Sequence, residues 1–325
     1  LITGLAEKGT SERNEECFHL AVTLAETCGN EKVLAAVLLA RADYHRKADA
    51  HGRAMELYDQ VLPLFEKEAD ALGQGKAWLG KGNIYLVTGE NDRALEMYEQ
   101  ARLCFEKANY PRGQGSVLLN KGDIYRMTGD GAKALEMYDQ ALPLLEKASS
   151  LAGQGSAYYR KGLIHYLAGD NHRALQFYDQ ALPFLEKAED LTGLGDLWKG
   201  KGDAYFFLDD NDRALEMYDR ALYFYERAPS LRGQGDVWKM RGEVLHFTGN
   251  RQKAHEMYDK ALLFYEKAAH PWGQADVLHK IASAYRHAGD NTRALEIYDR
   301  AMVLFEKTGN PLGQRNLWQG RAAAY

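Results

Sequence analysis

The octapeptide GKAWLGKG, from Gly75 to Gly82, has the spacing of a phosphate-binding loop. In the loop G-x-x-x-x-G-K-S/T, backbone amides and the lysine hold the phosphates of a nucleotide, and the final hydroxyl ligates magnesium. The final position here is Gly82, so the pattern lacks its magnesium ligand. The pattern recurs as GDLWKGKG, from Gly195 to Gly202, and again ends in glycine. This recurrence indicates a structural repeat rather than a nucleotide site.

Other reactive constellations do not assemble in the sequence. There is no H-E-x-x-H or G-x-S-x-G motif, and His255-Glu256 is followed by Met-Tyr-Asp. The acidic run from Asp209 to Asp212 resembles the opening of a calcium loop, but the glycine and glutamate that such a loop requires are missing. Helix capping explains this run better. We therefore expect no enzymatic activity, no cofactor and no metal site in this chain.

Composition restricts the class of protein and its partners. The chain has 325 residues, 46% of them hydrophobic, and only seven prolines, which favours a helical protein. The net charge of -5 gives no global reason to expect nucleic acid or an anionic membrane as a partner. No apolar run reaches the roughly 18 residues of a membrane span. Cys17, Cys28 and Cys104 are scattered and indicate a reducing compartment, so we expect a cytoplasmic protein.

A repeat of 40 residues organises the chain and predicts its fold. Every repeat contains two segments with apolar residues at helical spacing, here called helix A and helix B. In the first full phrase, helix A ends near Gly89, and Glu90, Asn91 and Asp92 supply the N-cap of helix B. The glycines that open the successive phrases are Gly73, Gly113, Gly153, Gly193, Gly233, Gly273 and Gly313.

Glycine inside helix A needs a physical reason, because mid-helix glycine costs about 1 kcal/mol. We predict that Gly82 and its equivalents allow helix A to approach helix B closely. A side chain at Gly82 would meet the ring of Tyr98. The predicted buried face of helix B consists of Ala94, Tyr98, Ala101 and Phe105.

The repeated residues resemble the tetratricopeptide (TPR) signature, W-x2-L-G-x2-Y followed by A, an aromatic residue and A. The matching residues of one repeat are Trp78, Gly82, Tyr85, Ala94, Tyr98 and Ala101. The resemblance implies an all-α fold, an α-solenoid of tandem antiparallel helix pairs wound into a right-handed superhelix. A cation replaces the usual leucine before the glycine, as at Lys81, Lys121, Lys161, Lys201 and Arg241. The 40-residue length resembles the repeats of spindle-orientation adaptors and of bacterial multidomain regulators.

The repeat also predicts the domain organisation. We expect a single solenoid over residues 1–325, with seven full helix pairs and a partial repeat at each end. Residues 1–9 match only the close of a helix A. We further expect the chain to be a fragment of a larger protein.

The resemblance places a concave groove on the variable stripe of helix A, at positions such as Leu79, Leu86 and Val87. The last position of each repeat in this stripe could instead pack against the next repeat, and those residues are Val87, Met127, Leu167, Phe207 and Phe247. Neighbouring Asp and Glu side chains could neutralise the basic members. The predicted partner-binding residues are Leu79, Leu86, Arg126, Tyr159, Tyr166, Lys199, Phe206, Phe207, Lys239, His246, Phe247, His279, Arg286 and His287.

The expected function is capture of a peptide or protein segment with apolar and acidic parts, by a scaffold or by the regulatory arm of a larger protein. Exposed aromatic side chains in the middle of the stripe are typical anchors of protein interfaces. An alternative is the sensor segment of a multidomain ATPase or protease switch. Nucleic-acid binding through the C-terminal basic stripe is a weaker alternative. Self-association stays open, and His165, in place of a signature tyrosine, is interpreted as a structural histidine.

Overall fold

The fold is all-α, as the repeat predicts. A computed structural model describes residues 11–308 and 311–324, which contain sixteen α-helices and no strand. Residues 1–9, predicted as the end of a helix A, lie outside the described residues. The helices are α1 Ser11–Thr27, α2 Glu31–Lys47, α3 His51–Lys67, α4 Ala71–Val87, α5 Asn91–Lys107, α6 Pro111–Met127, α7 Gly131–Lys147, α8 Leu151–Leu167, α9 Asn171–Lys187, α10 Leu191–Phe207, α11 Asn211–Arg227, α12 Leu231–Phe247, α13 Arg251–Lys267, α14 Pro271–His287, α15 Asn291–Thr308 and α16 Pro311–Ala322.

Helix A and helix B of each repeat alternate along the chain, with α2 the first helix A and α3 the first helix B of a full pair. The chain divides into two compact units, Leu1–Ala157 and Tyr158–Tyr325, here called unit 1 and unit 2. In unit 1, α4 packs against α5, and α5 packs against the following helix A, α6. In unit 2, α10, α11 and α12 repeat this arrangement. None of the helices that the structure describes is long and apolar enough to cross a bilayer.

In five of the seven helix pairs a tyrosine of helix B packs against a glycine of helix A, and in the other two Ala42 and Ala282 hold the glycine position. Tyr98 is fully buried, and a Cβ built on Gly82 would lie 2.5 Å from Cε1 of its ring. In unit 2, a Cβ on Gly202 would lie 2.5 Å from the ring of Tyr218. Real Cβ atoms do not approach rings this closely, so at this separation of the helices these two contacts require glycine. The octapeptide GKAWLGKG lies inside α4 and is a helix-packing segment, not a phosphate loop.

The helix ends follow the predicted capping chemistry with one difference. Helix α4 ends at Val87, and Gly89 follows in the left-handed region, at φ 81°. The Asp210 carboxylate accepts a hydrogen bond from the backbone N–H of Arg213 at 3.1 Å, so the run that resembled a calcium loop is a helix cap. Glu90 is the N-cap residue of α5, but its side chain makes no capping bond. A glutamate is one methylene longer than the aspartate that caps α7, α9 and α11.

The unusual cation of helix A joins neighbouring repeats. Lys81 lies over the ring of Trp78 and pairs with Asp59 of the preceding helix B at 2.5 Å. In unit 2, Lys201 pairs with Asp179 at the same distance, and it is buried although Asp179 is exposed. In both cases the acid stands 22 residues before the cation. The cation therefore replaces the signature leucine because it connects helix A to the previous repeat.

This ion pair predicts a difference between two aspartates of unit 2. Asp179→Asn should lower the free energy of unfolding by about 1 kcal/mol, because it removes the carboxylate of an ion pair whose acid is exposed to solvent. The matched control is Asp259→Asn, since the residue 22 positions later is Ile281 rather than a cation. Urea denaturation followed by circular dichroism measures both. Equal midpoints for the two variants would contradict the proposed connection.

Two departures from the repeat keep helix A packed against helix B. The ring of His165 stacks on Phe177 with centroids 5.1 Å apart and an interplanar angle of 8°. Phe177 stands where the equivalent helices carry Met217 and Met257. The smaller ring of histidine, in place of tyrosine, is therefore accompanied by a phenylalanine in place of methionine. Ala282 replaces the usual glycine and is fully buried. Both departures lie in packed positions of helix pairs.

Candidate functional site

The last position of the variable stripe is exposed rather than packed. Leu167, Phe207 and Phe247 end three successive A helices of unit 2, with 59%, 63% and 66% of their surface exposed. Val87 and Met127 hold the equivalent positions of unit 1 and are exposed as well. Apolar side chains at a repeated helix end, this open to water, do not contribute to the core.

Four rings of unit 2 form a continuous group, here called the aromatic cluster: Tyr166, Phe206, Phe207 and Phe247. The ring centroids of Tyr166 and Phe207 lie 5.6 Å apart, at an angle of 70°. Phe206 lies 5.8 Å from Phe207 and 5.8 Å from Phe247, with an angle of 89° to the latter. Edge-to-face contacts of this kind fix the rings relative to one another. The cluster is therefore an ordered apolar surface spanning α8, α10 and α12.

A cavity of about 320 Å³ opens beside the aromatic cluster. The rings of Tyr166 and Phe207 line it, together with Leu167, Gly169 and Asn171. It lies at the turn between α8 and α9, where helix A gives way to helix B. This space is large enough to receive one side chain of a bound peptide.

Three predicted anchors are partly buried against the core of unit 2: Tyr159, Tyr166 and Phe206. The ring of Tyr159 stacks on the fully buried Tyr178 with centroids 5.6 Å apart. Burial, aided by the Asp203 carboxylate, raises the pKa of Tyr166 to about 12, so its hydroxyl stays protonated. These three side chains support the surface, whereas Phe207 and Phe247 present it to solvent.

The predicted basic residues are paired within the protein. The Lys199 ammonium lies 2.8 Å from the Asp203 carboxylate, which also accepts a hydrogen bond from the Tyr218 hydroxyl at 2.8 Å. Burial opposes the charge of Lys199, but Asp203 raises the pKa of the lysine on balance. Lys239 lies 2.9 Å from Asp276. The acids of the stripe thus neutralise these two lysines, and the expectation of a free basic groove loses its main support.

The C-terminal histidines add little positive charge. Burial lowers the pKa of His279, and burial together with Arg286 lowers the pKa of His287, so both rings are neutral at pH 7. The Arg286 guanidinium lies 2.9 Å from Nε2 of His287. His246 is half-buried next to Phe247.

The predicted residues of unit 1 lie in a similar arrangement, described by itself. Leu79 and Leu86 are half-buried against the cluster of residues around Tyr98. Arg126 lies 3.5 Å from Asp123, a carboxylate that accepts a hydrogen bond from Tyr138 at 3.0 Å. Unit 1 carries no ring at these positions, so its stripe combines aliphatic side chains with Arg126.

Two buried tyrosine hydroxyls depart from the repeat and were missed at the sequence level, those of Tyr178 and Tyr298. Tyr58, Tyr138 and Tyr218 each donate to a carboxylate 15 residues earlier. The equivalent residue for Tyr178 is Leu163, and the Tyr178 hydroxyl has no hydrogen-bond partner among the described residues. Aligning the repeats would have revealed this loss.

This difference in hydrogen bonding predicts that removing the Tyr178 hydroxyl and removing the Tyr218 hydroxyl change the stability of the fold in opposite directions. Tyr178→Phe should leave the melting temperature unchanged or raise it, because a buried hydroxyl without a protein partner costs about 1–3 kcal/mol. Tyr218→Phe should lower the free energy of unfolding by about 1 kcal/mol, because Asp203 loses a donor. Thermal unfolding of both variants measures the difference. A larger loss for Tyr178→Phe than for Tyr218→Phe would be the contrary result.

Comparison with known proteins places these helix pairs in a family. Tetratricopeptide repeat models match residues 73–147, 113–187 and 194–267, and a further model of the same repeat matches residues 277–311. No curated protein matches the sequence significantly. Among the described residues, no group of three or more His, Cys, Asp or Glu side chains could hold a metal ion.

Several solved structures share the fold at low sequence identity. One is a signal transduction ATPase with numerous domains (STAND) and a tetratricopeptide repeat sensor, from Pyrococcus horikoshii, with 16% identity, a TM-score of 0.68, and coverage of 99% of this chain and 48% of that chain. A Rap protein complexed with competence and sporulation factor has 12% identity and a TM-score of 0.63, covering 99% and 95%. A Rap conjugation gene regulator of the plasmid pLS20, in complex with a Phr peptide, has 14% identity and a TM-score of 0.67, covering 87% and 76%.

At these identities the likeness concerns the fold alone, whereas the repeat models match more than half of the sequence itself. They cover the glycine, tyrosine and alanine positions that the structure shows packed between helices A and B. The chain belongs to the tetratricopeptide repeat family.

Proposed function

We propose that this chain is a protein-interaction module that binds a peptide segment on the aromatic cluster of unit 2. The observation that carries the proposal is the exposure of Phe207 and Phe247, each more than 60% open to solvent at the end of its helix. Contiguous exposed aromatic side chains are costly in water and are the usual anchors of interfaces.

The proposed mechanism is rigid display of the aromatic surface. Tyr166 and Phe206 pack against the core and hold Phe207 and Phe247 through ring contacts of 5.6 to 5.8 Å. Because these rings are already ordered, binding costs little side-chain entropy on the protein's side. The chain would act without catalysis, by holding a partner.

Apolar contact is the main recognition element of this proposal. The ion pairs Lys199–Asp203 and Lys239–Asp276 satisfy the two lysines that favoured an acidic ligand or a nucleic acid. A ligand carboxylate that displaced either aspartate would leave that aspartate partly buried without its cation, so the exchange gains little. We therefore do not propose nucleic-acid binding.

The structural neighbours support a peptide ligand and a regulatory setting. Two of them are Rap proteins in complex with a factor or a peptide, and a third carries its repeats as the sensor of a STAND ATPase. By analogy of fold, we propose that this chain serves as a scaffold or as the sensing arm of a larger protein.

Selection from a random peptide library displayed on phage, with the whole chain immobilised, tests the proposal. We expect recovered peptides to contain two or more large apolar or aromatic residues and to bind in the micromolar range, measured by fluorescence polarisation with the synthetic peptide. Failure to recover any peptide that binds in solution, or recovery only of peptides without apolar residues, would overturn the proposal.

A further inference from the structure

The aromatic cluster differs from several other rings of unit 2 in having no cation of the protein over its ring faces. Lys201 lies 4.7 Å from the ring centroid of Trp198, Arg213 lies 4.7 Å from Tyr205, and Lys260 lies 4.3 Å from Trp238. Among the described residues, no lysine or arginine lies over any of the four rings of the cluster. Ring faces attract cations within about 6 Å, so the cluster offers an unused binding surface of this kind.

An exposed carboxylate stands at the same helix end. Asp209 has φ 62°, a left-handed conformation that favours glycine, and its backbone N–H donates to the Phe206 carbonyl at 3.0 Å. The neighbouring Asp210 is paired with Arg213, whereas Asp209 has no cationic partner among the described residues. The equivalent positions of unit 2 carry Gly169, Gly249 and Gly289, so within unit 2 only this repeat places a charge here, whereas Asp49 holds the position in the first helix pair of unit 1.

Acceptor atoms without donors lie at the starts of α9 and α11, the helices that follow α8 and α10. The side-chain oxygen of Asn171, a residue lining the cavity next to Tyr166 and Phe207, is buried and has no hydrogen-bond donor within the described part of the chain. The side-chain oxygen of Asn211, just after Asp209, is in the same state. A ligand group with several N–H donors and a positive charge would satisfy these atoms.

The backbone at these helix ends also favours a positively charged ligand group. Helices α8 and α10 end at Leu167 and Phe207, and the carboxyl ends of helices carry partial negative charge that stabilises nearby cations. The charge of Lys199 opposes the rise that burial causes in the pKa of the Tyr166 hydroxyl, so this lysine lies near the cluster. Its charge is paired with Asp203, which reduces its repulsion of a bound cation. Arg286 belongs to α14, one helix pair beyond Phe247, so it opposes a cation near Phe247 more than near Phe207.

We infer that the part of the aromatic cluster around Tyr166 and Phe207 receives a basic side chain, lysine or arginine, of the bound peptide. The aliphatic stem packs on the rings, and the charged head faces Asp209 and the oxygen of Asn171. This inference rests on the proposed function. It replaces the acidic ligand expected from the sequence with a ligand that carries a basic side chain.

Small probes of the side chain test the inference without knowledge of the peptide. The whole chain, with ¹³C-labelled phenylalanine rings, is titrated with n-butylammonium, with n-butylguanidinium and with 1-butanol, a neutral probe of the same size as the ammonium. We expect the NMR signals of Phe206 and Phe207 to shift saturably with both cations, with at least about 3-fold higher affinity than for 1-butanol.

The matched variant is Asp209→Gly, which restores the glycine of the other repeats of unit 2. It also removes the backbone strain of an aspartate in the left-handed region. It should lower the affinity for the cations by about 3- to 5-fold, leave 1-butanol unchanged and not reduce the melting temperature. Equal affinity for the neutral probe, absent shifts at these rings, or unchanged cation affinity in Asp209→Gly would overturn the inference. Peptide capture with a negative cation result removes only the inference, whereas cation binding without any peptide binding removes the proposed function.

Discussion

Gly82→Leu is expected to lower the free energy of unfolding by about 3 kcal/mol or more. The first added carbon would lie 2.5 Å from Cε1 of Tyr98 and 3.3 Å from Cβ of Met97, before any larger group is placed. Tyr98 is fully buried and donates to Asn83 at 2.9 Å, so its ring cannot move without breaking this bond. The helices must therefore separate, and the core of the repeat opens.

The matched control for this prediction is Gly52→Leu in α3. A Cβ built on Gly52 meets nothing within 4 Å, so leucine should be neutral or slightly stabilising there, because it forms helices better than glycine. Urea unfolding followed by circular dichroism compares the two variants. Similar midpoints for both would show that close helix contact at Gly82 does not limit the repeat.

The double variant Phe207→Ala/Phe247→Ala should weaken peptide binding by about 100-fold or more, since each exposed ring is expected to be an interface anchor worth about 2 kcal/mol. The melting temperature should change little, because both side chains are more than 60% exposed. Fluorescence polarisation with a library-selected peptide gives the affinity.

The control for surface aromatic loss is Tyr223→Ala on helix α11. Tyr223 is 54% exposed but belongs to a helix B and lies next to Arg227, whose guanidinium donates to its hydroxyl at 3.0 Å. We expect peptide affinity to be unchanged in this variant. Alanine at Tyr159, Tyr166 or Phe206 is a less specific change, since these side chains also pack against the core and their loss should lower stability.

The fold could be predicted in detail because the repeat fixes local and tertiary structure together. Gly82 and Tyr98 stand 16 residues apart in one repeat, and the same pair recurs as Gly202 and Tyr218, so their contact follows from the period. The reason for Lys81 could not be found within one repeat, because its partner Asp59 belongs to the preceding one.

The candidate site was harder to predict because adjacent residues at a helix end differ in burial. Phe206 packs against the core while Phe207 is exposed, and only the position of the neighbouring helices decides this. The Lys199–Asp203 pair, four residues apart on one helix, could have been foreseen from spacing alone. Asp209 could have been found by asking where a repeated glycine is replaced.

Photo-crosslinking shows most directly whether peptide binds the aromatic cluster. A library-selected peptide with benzoylphenylalanine in place of one apolar residue is irradiated with the whole chain, and the attachment sites are identified by mass spectrometry. The expected result is attachment within α8, α10 and α12 near Leu167, Phe207 and Phe247, which excess unlabelled peptide suppresses. Attachment confined to the outer face of helix B, around Tyr223, or to unit 1 would contradict the central claim.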